Sequence, residues 1–169
     1  MKYILLLTVV LLAGCRHDEA ATKPDPQNIT GESSAYFCQM SLVEMPGPKG
    51  QIFLEGMPGP LFFGQVRDAI AYLKDPEKIA DILAFYVNDM GRAPSWESPG
   101  KDNWIDGYKA FYVVGAGVTG GMGAPELAPF STKAAAQEFA RENGGKTMQL
   151  EAIPDTAVLG GVEHPTIGD

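Results

Sequence analysis

The chain has 169 residues, 45% hydrophobic and 20% charged, with 20 glycines, 13 prolines and a net charge of −8. That length suits one compact domain or two very small ones. The acidic balance argues against nucleic acid or an anionic bilayer as the main partner.

Lys2 opens a positive start, and the apolar run YILLLTVVLLA that follows is too short for a retained spanning helix. The run ends in LAGC, residues 12–15, which resembles the lipobox of bacterial lipoproteins, where the cysteine is acylated and becomes the first mature residue. Residues 1–14 therefore read as a lipoprotein signal peptide and Cys15 as the lipidated residue. Arg16 stands where an aspartate would retain the protein, so the resemblance to Gram-negative lipoproteins implies the periplasm and sorting to the outer membrane. With Cys15 acylated, Cys38 is the remaining thiol and no intramolecular disulfide forms.

Residues 15–35 read as lipid anchor and flexible tether, because RHDEAATKPDPQNITGESSA is polar and aperiodic. Fully extended, the 20 residues 16–35 span roughly 65 Å. Structure begins at Tyr36. YFCQMSLVEM predicts a strand, PGPKG a turn, QIFLEG a second strand and MPGP another turn. GQVRDAIAYLKD places Val66, Ala69, Ile70 and Leu73 at helical spacing, and DILAFYVND predicts a strand. Residues 36–90 thus form a first β-β-α-β unit. Residues 91–103, rich in Gly, Pro and Ser, form a linker.

The order then repeats over residues 104–153. WIDGYKAFYVVG predicts a strand, AGVTGGMG a glycine-rich loop and APELAPF a short extended segment. STKAAAQEFARENGG predicts a helix starting at Ser131 or Thr132 and ended by Gly144, and KTMQLEAI a closing strand. GMPGP at 56–60 echoes GMGAP at 121–125. The fold class is α+β, two small related β-β-α-β units joined by a Gly/Pro-rich linker. Residues 154–169 read as an irregular tail.

The chemistry-bearing residues are sulfurs. On a strand, Cys38 and Met40 would share a face, with a thiolate beside a thioether. Soft ligands of this kind select Cu(I); the plain alternative is that both pack in the core. Met122 lies in TGGMGAPE, where glycines leave no amphipathic element to bury it, so a mobile loop would bring its sulfur to the Cys38–Met40 pair. Met57, its counterpart in the repeat, and Met45 are weaker candidates. His17 and His164 supply a fourth ligand only if their segments fold back. GAGVTG matches a dinucleotide fingerprint, but Gly121, Gly123, Pro125 and Pro129 forbid the helix such a site needs.

Together, LAGC, YFCQMSLVEMPGPKGQIFL, GMGAPELAPFS and EFARENGG resemble the NosL family of nitrous oxide reductase accessory lipoproteins over Tyr36 to Ile153. The resemblance implies a fold similar to organomercurial lyases. It implies a copper carrier rather than an enzyme, with Cys38, Met40 and Met122 as ligands. The implied partners are apo nitrous oxide reductase and the membrane-bound Nos assembly machinery, an ABC-type transporter with its periplasmic component. Many family members carry histidine where this chain has Met45. The reading is a membrane-tethered Cu(I) metallochaperone. Its rival is a lipoprotein scaffold without metal, whose methionines form an adaptable contact surface, and a Cys38-dependent enzyme is third.

Overall fold

The structure, a computed structural model, describes residues 22–160. The signal segment, Cys15, His17 and His164 lie outside the described residues. Two antiparallel sheets and three helices are built in chain order from β1 (Gly50–Leu54), β2 (Leu61–Phe63), α1 (Val66–Lys74), β3 (Ile82–Asn88), β4 (Trp104–Asp106), β5 (Phe111–Val114), β6 (Ala128–Phe130), α2 (Lys133–Asn143), β7 (Lys146–Gln149) and α3 (Thr156–Leu159). The first sheet has the order β2-β1-β3-β4 and the second β6-β5-β7. The β-β-α-β order occurs twice, as β1-β2-α1-β3 and β5-β6-α2-β7.

All five residues of β1 are buried, although a sheet with one wet face would alternate. Both faces are covered. Ile52 and Leu54 meet α1 and the central core with Phe63, Ile70 and Phe85. On the other face Phe53 packs with Ala84, Tyr86 and Trp104, beneath a segment predicted as tether.

That segment is a strap from Lys23 on, which corrects the described part, residues 22–35, of the flexible tether expected over residues 15–35. It crosses the first sheet strand by strand. Lys23 Nζ pairs with Asp106 of β4 at 2.8 Å. Tyr86 of β3 donates its hydroxyl to the Pro24 carbonyl at 2.7 Å. Gln51 of β1 receives the Gln27 N–H at 2.9 Å and donates back to the Gln27 carbonyl at 3.0 Å. Ile29 is buried in the strap-side cluster. Tyr36 N–H reaches the Phe62 carbonyl of β2 at 2.7 Å. Apart from the Lys23 ion pair, these docking bonds use the strap's main chain, which composition does not reveal.

Two further segments differ from expectation. WIDGYKAFYVVG is not one strand: β4 pairs with β3 in the first sheet, and β5 is the centre of the second. Gly107 marks the break. A β-carbon there would run into the Phe85 ring, and its carbonyl accepts the Tyr112 hydroxyl at 2.6 Å. The tail expected to be irregular is helical over Thr156–Leu159, and Val158 is buried with α1 in the central core. That core also takes in Ala110, Tyr112 and Leu127 of the second unit. The other face of the second sheet packs Val113, Ala128 and Phe130 against Ala136 of α2. Among the described residues no helix is long and apolar enough to cross a membrane.

The two longer helices are started differently. In α2, Thr132 Oγ1 accepts the Ala135 N–H at 3.3 Å, and Gly144 follows the helix at φ +77°. This is the capping chemistry read from the sequence. In α1 the N-cap Gln65 makes no such bond, and the N-terminal donors are satisfied from elsewhere in the chain.

Candidate metal site

The strand predicted over residues 36–45 is instead a closed turn followed by a 3-10 turn at Leu42–Glu44. Ala35 N–H donates to the Met40 carbonyl at 2.9 Å, and Gln39 N–H to the Ala35 carbonyl at 2.8 Å. Gln39 takes φ +58°, a left-handed conformation uncommon outside glycine and costly to hold. Its Nε2 donates to the Tyr36 carbonyl at 2.7 Å, which helps lock the reversal. The reversal falls between Cys38 and Met40. Period-two geometry therefore does not relate the two side chains; they are neighbours on one tight turn.

Aromatic packing explains why the segment leaves the sheet edge. Tyr36 bonds once to β2, and then the Tyr36 and Phe37 rings lie 5.9 and 5.4 Å from Phe63. Cys38 carries a free thiol, half-buried against the cluster that contains Ile29, Ala35, Leu42 and Met45. Met40 is 49% exposed.

Met45 is only 4% exposed. It sits between two glycines: a β-carbon on Gly64 would lie 2.5 Å from its sulfur, and one on Gly121 2.7 Å from its Cβ. The structure thus places Met45 in the core, as filler between the two units. Met57 lies in the β1–β2 connection, 44% exposed. Gly64 and Met45 sit at the opposite end of that hairpin, about 15 Å away by strand rise.

Met122 caps a braced hairpin rather than a mobile loop. Glu126 N–H donates to the Val118 carbonyl at 3.1 Å, Gly120 N–H to Ala124 at 2.9 Å, and Gly123 N–H to Gly120 at 2.9 Å. Trp96 Nε1 donates to the Thr119 carbonyl at 2.9 Å, while its ring stacks on Phe139 of α2. Met122 is at the tip, 50% exposed. The preceding residue, Gly121, rests on Met45, which follows the 3-10 turn Leu42–Glu44. The tertiary fold therefore seats the Met122 hairpin on Met45, five residues past Met40, and leaves Met57 at the far end of the β1–β2 hairpin.

Two buried charges beneath these turns were not singled out in the sequence. Lys49 Nζ donates to the carbonyls of Met45 at 2.8 Å and Pro46 at 3.2 Å, and to that of Gly47. Glu126 accepts from Val66 N–H at 3.2 Å, Arg67 N–H at 2.9 Å and Leu127 N–H at 2.8 Å. Lys49 bonds to carbonyls of its own turn, whereas Val66 and Arg67 are brought to Glu126 by folding. Among the described residues no three His, Cys, Asp or Glu side chains converge as a metal set. A metal held at these turns would draw on thioethers.

Burial pushes the Glu126 carboxyl up to about 8, against the pull of its backbone donors. Burial draws the Lys49 ammonium down to about 8, against the pull of Glu126. The raised carboxyl contributes stability that is full below its unfolded value of 4.5 and is lost as pH rises through 8. The lowered ammonium acts between pH 8 and 10.5, where stability recovers as pH rises. The expected outcome is a stability that falls by about 1 kcal/mol per pH unit between roughly pH 5 and 8. Denaturant melts of wild type and Glu126→Gln check this, with the slope lost in the variant.

A family model for NosL matches residues 26–158. The copper-binding lipoprotein NosL of Achromobacter cycloclastes is 52% identical over 165 residues, 96% of this chain and 85% of that protein. The copper-binding lipoprotein NosL of Stutzerimonas stutzeri is 34% identical over 158 residues, 91% of this chain and 80% of that protein. The crystal structure of the copper chaperone NosL from Shewanella denitrificans superposes with a TM-score of 0.71 at 32% identity, covering 76% of this chain and 95% of that one. The solution structure of apo-NosL from Achromobacter cycloclastes gives a TM-score of 0.50 at 56% identity, covering 69% of this chain and 94% of that one. These relatives are named as copper-binding proteins and a chaperone, not as enzymes. With the family model spanning most of the chain, the sequence belongs to the NosL family.

Proposed function

We propose that this protein is a membrane-anchored Cu(I) carrier that delivers copper for maturation of nitrous oxide reductase. The observation that supports the reading is the contact of Gly121 with Met45, which seats the Met122 hairpin on the residue five positions past Met40. The relatives named for copper support the cargo. The oxidation state follows from ligand softness: one thiolate and two thioethers suit Cu(I) and offer little to hard or oxidised cations. Cys38 is the charged anchor. Met40 and Met122, both half-exposed, are neutral ligands that release readily, and so few ligands leave an open position for an incoming one. Met45, Met57 and His164 are the weaker candidates. Met45 would first have to leave its buried position.

The partners in this reading are apo nitrous oxide reductase and the membrane-bound assembly machinery, in the periplasm and at the outer membrane. Acylation at Cys15 would tether the fold closely. The chain from Cys15 to Thr22 can span at most about 25 Å. The strap consumes the rest of the expected tether.

The test is an anaerobic Cu(I) titration of residues 16–169 against a chromophoric chelator. One tightly bound equivalent, weakened by Cys38→Ser, Met40→Leu and Met122→Leu, is expected. No competition with the chelator would overturn the reading and leave the methionines as a protein-contact surface.

A further inference from the structure

We infer that Glu126 is a positioning residue for Met122, holding the methionine hairpin in register with the Cys38–Met40 turn by bonding to the N-terminus of α1. The inference rests on the copper reading above and goes beyond its ligands.

The geometry is specific. α1 begins without a side-chain cap of its own from Gln65, so its first donors need an acceptor. Glu126 supplies one from the second unit, taking Val66 N–H on Oε2 and Arg67 N–H on Oε1. The residue is 1% exposed, and at the helix N-terminus its carboxyl meets the positive end of the macrodipole. The same residue closes the hairpin through its own N–H to Val118. It is therefore the base of the Met122 hairpin and a clamp onto the first unit at once. Gly120, on the other strand of the hairpin, lies so close that any β-carbon would strike Gln65 and Glu126. Glu126 lies four residues from Met122 and acts on the site through the hairpin.

The clamp matters because the site spans two units. Cys38 and Met40 are fixed to the edge of the first sheet, whereas Met122 belongs to the second unit. A thioether is a weak, neutral ligand, so its contribution depends on being held close to the thiolate before copper arrives. Releasing the clamp frees the hairpin at one of its braces and leaves the other two, the Trp96 bond and the Gly121–Met45 contact.

The test is a double-variant cycle in Cu(I) affinity, using residues 16–169 with Glu126→Ala, Met122→Leu and both. Glu126→Ala is expected to weaken Cu(I) about tenfold, as Met122→Leu does, with the double variant no weaker than either. The copper-induced shift of the Met122 methyl resonance should shrink in Glu126→Ala, and Glu126→Gln, which keeps an acceptor for Arg67 and Leu127, should restore most of the affinity. If Glu126→Ala does not fold, Glu126→Asp, whose shorter carboxyl cannot span Val66 and Arg67 together, is read the same way. A melting-temperature loss with unchanged Cu(I) affinity, or strictly additive losses, overturns the inference while leaving the copper reading intact. No effect of Met122→Leu in the unaltered background overturns the ligand assignment, and the inference falls with it.

Discussion

Replacing Cys38 with serine is expected to weaken Cu(I) binding on the order of a thousandfold, equivalent to about 4 kcal/mol. The thiol supplies the charged soft ligand, and a serine hydroxyl is hard and stays protonated at neutral pH. Met40→Leu and Met122→Leu remove neutral ligands and should each cost about tenfold. The fold should tolerate the serine. Cys38 is half-buried on a turn whose shape comes from the Ala35–Met40 and Gln39–Ala35 main-chain bonds and from the Tyr36 and Phe37 rings. Chelator competition with the melting temperature in parallel checks this. An unchanged affinity removes Cys38 from the site.

Truncating Met45 to alanine is expected to act in the opposite sense, costing about 3 kcal/mol of stability and lowering the melting temperature by about 10 °C. The residue fills the gap between Gly64 and Gly121, and those glycines admit no replacement volume. The cavity would open at the seam between the two units. Cu(I) stoichiometry should survive at temperatures where the variant is folded. Calorimetry paired with the copper titration separates the roles. A lost copper site with an unchanged melting temperature would make Met45 a ligand rather than a wedge.

These two residues lie seven positions apart in YFCQMSLVEM, a run whose composition predicts a strand. Local pattern misleads there because the run is hydrophobic without a period, and its aromatic rings are drawn to Phe63 and Tyr72 rather than across a ladder. The strap misleads for a related reason. Residues 22–35 carry few apolar side chains, yet Gln27, Pro24 and Lys23 meet Gln51, Tyr86 and Asp106 on a sheet face that would otherwise be open. A polar segment without periodicity looks alike whether it is solvated or docked. Long-range polar pairing leaves no mark in a local window.

What could be read along the chain is what is written in short-range chemistry. The helix at Lys133–Asn143 was legible because its N-cap threonine and following glycine act within a few residues of the bonds they make. The twofold β-β-α-β order was legible because the helical spacing and the glycine-rich turns recur at matching places in each half. Residue type alone made sulfur the candidate chemistry. Where each methionine sits was decided by folding. Met57 and Met122 occupy equivalent places in the repeat, but only the Met122 hairpin, among these two, is seated on Met45 and clamped to α1 by Glu126. The difference arises because the two units share one core, and the contacts across it join residues far apart in sequence, such as Glu126 with Val66 and Gly121 with Met45, which no pattern along the chain encodes.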